Sequence, residues 1–242
     1  MCSRLWGAKK AFFLVGAPNC GKSVILDLLK FILGENNVSS IPLHKLGDRF
    51  SLANLVDKAV NICAEIKAFP LRGIDTFKGI VSGDTLMGEQ KGETAFSFKC
   101  RTKLLFAGNT FPEIAEVESG QAFIERLCFL LFPVSIPKEK QDQQLLEHLL
   151  SERDAIFSLA IRTLPELIQQ NMLFVTCPES INFLENISEQ QSHVKRFIDE
   201  CCQRRPGCRI STLSLYTEYQ EFCKQNCFKA YAVTQFSEIV RK

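Results

Sequence analysis

The chain has 242 residues, 46% of them apolar, enough to bury a full core as one domain plus a small second one. Its 29 basic and 27 acidic residues leave a formal charge of +2, which excludes a global basic field for nucleic acid or membrane but not a locally positive channel. Eleven cysteines without a CxxC pair, with His44, His148 and His193 far apart, argue against a zinc site and for reduced thiols in a cytoplasmic protein.

The first apolar run, AFFLV at 11–15, reads as a buried strand and is too short for a secretion-signal core or a membrane span. It leads directly into Gly16-Ala17-Pro18-Asn19-Cys20-Gly21-Lys22-Ser23, the G-x-x-x-x-G-K-[ST] pattern of a phosphate-binding loop. Helical spacing of Val24, Ile25, Leu28, Leu29 and Ile32 predicts a helix over 22–33, closed by Gly34. An extended piece is expected near 38–41, a brief helix over 51–58, and a mostly apolar strand from 59 that ends at Glu65. A helix over 73–81 precedes two short extended stretches within 85–98, separated by the polar turn Glu89-Gln90-Lys91-Gly92-Glu93, a hairpin pattern. Two further apolar strands follow at 103–107, ending in Gly108-Asn109, and at 127–133. From 142 the pattern is helical, over about 142–150, 152–170, 178–204, 211–225 and 234–241, with Pro206-Gly207 closing the third of these. A boundary is expected near residue 190, before a small helical unit rich in cysteine and charge.

Strands apolar on both faces that alternate with helices predict an α/β fold, a parallel sheet sandwiched by helices. Ligands bind beyond the carboxyl ends of such strands. The loop, Glu65 and Asn109 all fall at strand ends, so the pattern brings them together across long sequence separations.

Each of these residue types suits phosphoryl transfer. Backbone N–H groups of 16–23 can cradle phosphate oxygens, Lys22 can reach the β/γ-phosphates, and the Ser23 hydroxyl can hold Mg²⁺. Glu65 is the candidate carboxylate that polarises water or completes the Mg²⁺ shell. Asn109 can orient the water or sense the γ-phosphate. Arg126 reads equally as a surface ion pair with Glu125 and as an arginine finger for a neighbouring subunit's nucleotide.

Five segments in this order and spacing resemble the superfamily-3 helicase domain of phage and plasmid primase–helicases, the poxvirus-like type. They are GAPNCGKS (16–23), NICAEI (61–66), KGIVSGDTLMGEQKGETAFSF (78–98), KLLFAGNTFP (103–112) and GQAFIERLCFLLFP (120–133). The resemblance spans roughly residues 10–170. It implies an AAA+-like P-loop ATPase domain over 1–189 that uses ATP and Mg²⁺, forms a homo-hexameric ring and unwinds single-stranded or forked DNA, beside a fused or separate primase domain. It makes Lys22, Glu65, Asn109 and Arg126 the catalytic set, with Arg126 acting in trans, and sets Lys91 of the hairpin against DNA in the central channel. Residues 190–242 are similar to the winged-helix-like, mainly α DNA-binding unit that follows such ATPases, here ending before any wing strands. Two other readings stay open: a truncated prophage remnant that binds nucleotide or DNA without unwinding, and a P-loop small-molecule kinase.

Overall fold

The structure, a computed structural model, describes residues 8–66, 73–112, 120–174, 177–190, 193–203, 205, 207–226, 228 and 230–241. Pro206 and Cys227 lie outside the described residues. Among the described residues, five strands form one parallel sheet: β1 (Ala11–Gly16), β2 (Val38–Ser39), β3 (Val60–Cys63), β6 (Lys103–Gly108) and β7 (Leu127–Phe132). Their order is β2-β3-β6-β1-β7, and β4 (Thr85–Gly88) with β5 (Phe96–Lys99) makes the antiparallel hairpin the sequence predicts. The helices are α1 (Lys22–Leu33), α2 (Arg49–Leu52), α3 (Ile74–Ser82), α4 (Gly120–Ile124), α5 (Leu145–Ser151), α6 (Arg153–Gln169), α7 (Pro178–Gln190), α8 (His193–Cys201), α9 (Thr212–Gln225) and α10 (Val233–Arg241). The expected α/β architecture with a parallel sheet between helices is what the chain adopts.

Strand alternation divides the apolar residues between two faces of the sheet. Phe13, Val15, Leu104, Phe106 and Phe129 point to one face, where Phe77 of α3, Phe123 of α4 and Ile187 of α7 meet them in the main core. Phe13 is fully buried, its ring 5.2–5.5 Å from those of Phe106, Phe111 and Phe129. Leu14, Ile62, Leu105 and Ala107 point to the other face, against Leu26 of α1, in a smaller cluster. At the β7 edge, Ser180 of α7 donates to the Phe129 carbonyl at 2.9 Å. The β2 edge is pinned by fully buried Asn61: its amide oxygen accepts from Ile41 N–H at 2.7 Å and from the Ser39 hydroxyl, and its NH₂ donates to Ile41 O. A buried amide is tolerable here because every polar atom has a partner.

Two expected elements differ. The brief helix begins at Arg49, earlier than expected, because the Asp48 carboxylate caps it by accepting from Phe50 N–H at 3.1 Å; it passes into a 3-10 turn that ends at Leu55. The long helix expected over 178–204 is two, α7 and α8, whose buried faces serve different cores: Ile187 joins the main one, while Val194 and Phe197 join Tyr219, Phe222, Cys223 and Phe236 in a separate cluster.

His193 sits inside that second cluster, 2% exposed, stacked on the rings of Tyr219, Phe228 and Tyr231. The Tyr219 hydroxyl accepts from Tyr231 N–H and shares a hydrogen bond with His193 Nδ1 at 2.8 Å, while Nε2 is buried without a partner among the described residues. Burial favours the neutral imidazole and lowers its pKa from 6.5 to about 4; it also pushes the Tyr219 hydroxyl up. Below pH 6.5 the unfolded chain takes up a proton that the folded one refuses, so stability falls as pH drops from about 6.5 to about 4. NMR titration of the His193 ring should give a pKa near 4, and His193→Gln should flatten this stretch of the stability–pH curve; ionisation near 6.5 would contradict the burial account.

Candidate functional site at the strand tips

Gly16 ends β1 and opens the phosphate loop. A Cβ there would lie 2.0 Å from the Phe132 carbonyl oxygen, so only glycine lets the loop turn against β7. The contact is used: Ala17 N–H donates to that carbonyl at 2.9 Å. The segment after β7 then braces the loop from outside, the Ser135 hydroxyl donating to Pro18 O at 2.8 Å and Ile136 N–H to Asn19 O at 3.0 Å. Asn19 holds a left-handed φ of 56°, a conformation asparagine tolerates, and Gly21 precedes α1 with φ 89°. Pro18 and Asn19 are exposed on the outer rim, with Cys20 half-buried behind them.

Lys22 is 8% exposed and its ammonium is fully engaged. It donates to Ala17 O at 2.6 Å and Gly16 O at 3.0 Å, with Cys20 Sγ at 3.1 Å and Asn109 Oδ1 at 3.5 Å. Lys22 and Asn109 are 87 residues apart in sequence and touch because β1 and β6 run side by side, Val15 opposite Gly108. Asn109 is fixed from both sides. Phe111, two residues on, packs edge-on against Phe13 and Phe129, and the side chain of Ile66 lies against Gly108 where a Cβ would come within 2.9 Å.

Glu65 is exposed just beyond β3. Its neighbour Ile66 donates N–H to Ala107 O at 3.1 Å, so the Glu65 backbone lies beside the end of β6. With strands about 4.8 Å apart, it stands two strands, about 10 Å, from the β1 tip. Ser23 is exposed at the first turn of α1. Among the described residues no group of three or more His, Cys, Asp or Glu side chains is placed to hold a metal ion. The oxygens of Ser23 and Glu65 suit a cation that takes one or two protein ligands and completes its shell with phosphate and water, which is the habit of Mg²⁺.

Arg126 stands elsewhere. Leu127 pairs with Ala11 at the far end of β1 from the loop, so Arg126 is roughly 20 Å from the phosphate loop along the strand. Its guanidinium donates to Ala122 O and, at 3.3 Å, to Ser82 Oγ at the end of α3, and Nε is buried without a partner. The structure thus brings Lys22, Ser23, Asn109 and Glu65 to one edge of the sheet and leaves Arg126 at the opposite edge.

Lys91 is exposed in the turn of the β4–β5 hairpin. The hairpin leans on α2: Glu89 N–H donates to Arg49 O at 3.2 Å, and the Glu89 carboxylate meets Arg49 Nε at 2.9 Å. Between them runs a groove of about 550 Å³ lined by Phe50, Ala53, Asn54, Glu89, Gln90 and Lys91. Phe50 is 43% exposed there with the Arg49 guanidinium 5.2 Å from its ring centroid. Sequence reasoning missed Arg49, Phe50, Ser135 and Ile136. An exposed aromatic beside an arginine, 41 residues before the hairpin turn, carries no local signal. Cys100, Cys128 and Cys223 are buried, and burial raises each thiol's pKa, which keeps them protonated.

A family model described as a family of unknown function (DUF5906) matches residues 14–126, the span from β1 to Arg126. No curated protein matches the chain. Among solved structures, the A-form apo structure of the NrS-1 C-terminal region is similar with TM-score 0.53 at 17% identity, over 79% of this chain and 45% of that one. A second apo structure of that region gives TM-score 0.54 at 16% identity with the same coverage. JCV helicase bound to a small molecule gives 0.38 at 14% identity over 90% of this chain and 56% of that one, too loose a likeness to carry an argument. The two NrS-1 likenesses establish the fold, and this chain spans less than half of the NrS-1 region. No helix among the described residues is long and apolar enough to cross a membrane.

Replacing Gly16 with Ala should displace the loop from Phe132, costing about 1–3 kcal/mol of stability. Chemical denaturation measures the loss, and wild-type stability in Gly16→Ala would contradict this geometry.

Proposed function

We propose that this chain is an ATP-hydrolysing motor domain of the superfamily-3 helicase kind, acting on DNA in phage or plasmid replication. The observation that carries the reading is the meeting of Lys22 of the Gly16–Ser23 loop with the Asn109 side chain at 3.5 Å, with Glu65 past the end of β3, the strand next to β6. A triphosphate in the loop takes the Lys22 ammonium from the Gly16 and Ala17 carbonyls, exchanging neutral acceptors for charged ones, which strengthens those hydrogen bonds. Glu65 polarises the attacking water, and Asn109, held against Lys22, aligns that water with the γ-phosphate. Ser23 and Glu65 would hold Mg²⁺ together with the triphosphate, and the ion would supply positive charge against the phosphates. Arg126, far from its own loop, serves a neighbouring copy's nucleotide in a homo-hexameric ring.

The hairpin groove supports the DNA part of the reading. Phe50 offers a stacking face, and Arg49 and Lys91 offer cations for a single-stranded backbone. The helical unit from about 190 would add DNA contacts as a winged-helix-like module, and a primase domain, fused or separate, would act beside it.

Lys22→Ala should abolish tight ATP binding. Glu65→Gln should keep binding while lowering turnover about 10²–10⁴-fold, the usual weight of a positioned base. A fluorescent ATP analogue measures binding and DNA-stimulated phosphate release measures turnover, and wild-type hydrolysis by Lys22→Ala would overturn the assignment. At the hairpin, Phe50→Ala should weaken single-stranded DNA binding by about 1–3 kcal/mol with little change in salt dependence. Lys91→Ala should reduce the slope of log affinity against log salt by about 0.7. Unchanged affinity and slope in both would remove the hairpin from the DNA path.

A further inference from the structure

The β4–β5 hairpin and α2 are joined as one body. Gly88, at the end of β4, is buried, and a Cβ there would lie 3.2–3.3 Å from the Phe96 and Phe98 rings and from the Ala53 Cα in the turn after α2. A side chain would press the hairpin away, so glycine sets this close approach. Glu89 then fastens the hairpin to Arg49 through both its N–H and its carboxylate. The groove between hairpin and α2 therefore has fixed walls, which lowers the cost of ordering a ligand inside it.

Size and lining suit a small planar group. About 550 Å³ falls in the range of small-ligand sites. The half-exposed Phe50 ring forms one wall, the amides of Asn54 and Gln90 line the groove as well, and Lys91 stands beside them. Tracking a phosphate backbone asks only for cations, and stacking on an aromatic ring accepts any base. Neither uses the two side-chain amides. A carboxamide presents a donor and an acceptor side by side, the pair that matches N6 and N7 of adenine and tells it from other bases. Asn54 Nδ2 makes only a long contact of 3.5 Å with the Phe50 carbonyl, a weak bond to exchange for a better one. The Glu89 carboxylate is offset by Arg49 at 2.9 Å, so Lys91 leaves the groove with positive charge for a phosphate.

We propose that this groove takes one unpaired adenine base of a DNA strand, stacked on Phe50, read on its polar edges by the Asn54 and Gln90 amides, with the adjoining phosphate on Lys91. A base inside a duplex has its faces covered by stacking and its pairing edge used, so the groove admits only a base that has left the helix. The hairpin then grips the strand by a base as well as by its phosphates. This base selection rests on the reading of the hairpin as a DNA contact and adds a sequence preference to it.

Fluorescence anisotropy of the full chain, titrated into labelled single strands, tests it. An all-thymidine strand is compared with the same strand carrying one central adenosine. The adenosine strand should bind about fivefold tighter or more. Asn54→Ala/Gln90→Ala should erase that preference, and Gln90→Ala alone, in an exposed turn, should shrink it. The readout is the ratio of the two affinities, which a general loss of charge or of folded protein does not change. Equal affinities in the wild type, or a preference that survives the double substitution, would overturn the proposal and leave the DNA reading standing. If neither strand binds, the DNA reading of the hairpin falls, and base selection falls with it.

Discussion

The peptide at Gly16 lies against the Phe132 carbonyl with no room for a side chain, and the site is built out from that contact. It fixes where the loop leaves β1, and Ser135 and Ile136, a few residues beyond the same carbonyl, hold the loop's outer carbonyls. The loop shape then aims Lys22 inward, where parallel register with β6 sets Asn109 beside it. Close packing makes this arrangement stiff: Phe13, Phe106, Phe111 and Phe129 fill the space under the loop, so neither strand tip shifts without disturbing the core.

The two ends of the sheet carry different chemistry. Loop, Glu65 and Asn109 occupy the carboxyl ends of the strands; the root of the hairpin and Arg126 lie at the opposite ends. Strand β6 joins them directly, separated from β5 by three residues and ending at Gly108, next to Asn109. The six residues of this strand, about 20 Å long, form a rigid strut between the hairpin and Asn109. Arg126 touches the hairpin root as well, through Ser82 at the end of α3.

Much of this was legible in the sequence because its signals are local. A strand apolar on both faces, as in LCFLLF at 127–132, announces a covered parallel sheet, and the loop's chemistry is carried by eight consecutive residues. Glu65 and Asn109 were legible as strand ends, and the rule that parallel strands share one ligand-bearing edge brought them together. What stayed hidden depends on packing between distant segments. The loop brace at Ser135 and Ile136 and the Arg49–Phe50 wall of the groove have no spacing signature. The split between α7 and α8 follows from which core each helix faces, which periodicity cannot tell.

The most direct test is a structure of the chain with a non-hydrolysable ATP analogue and magnesium. The β- and γ-phosphates should lie inside the Gly16–Ser23 loop, with the Lys22 ammonium moved from the Ala17 carbonyl onto them and Asn109 and Glu65 facing the γ-phosphate. An analogue bound elsewhere, or a Lys22 still paired with the loop carbonyls beside bound phosphates, would contradict the account.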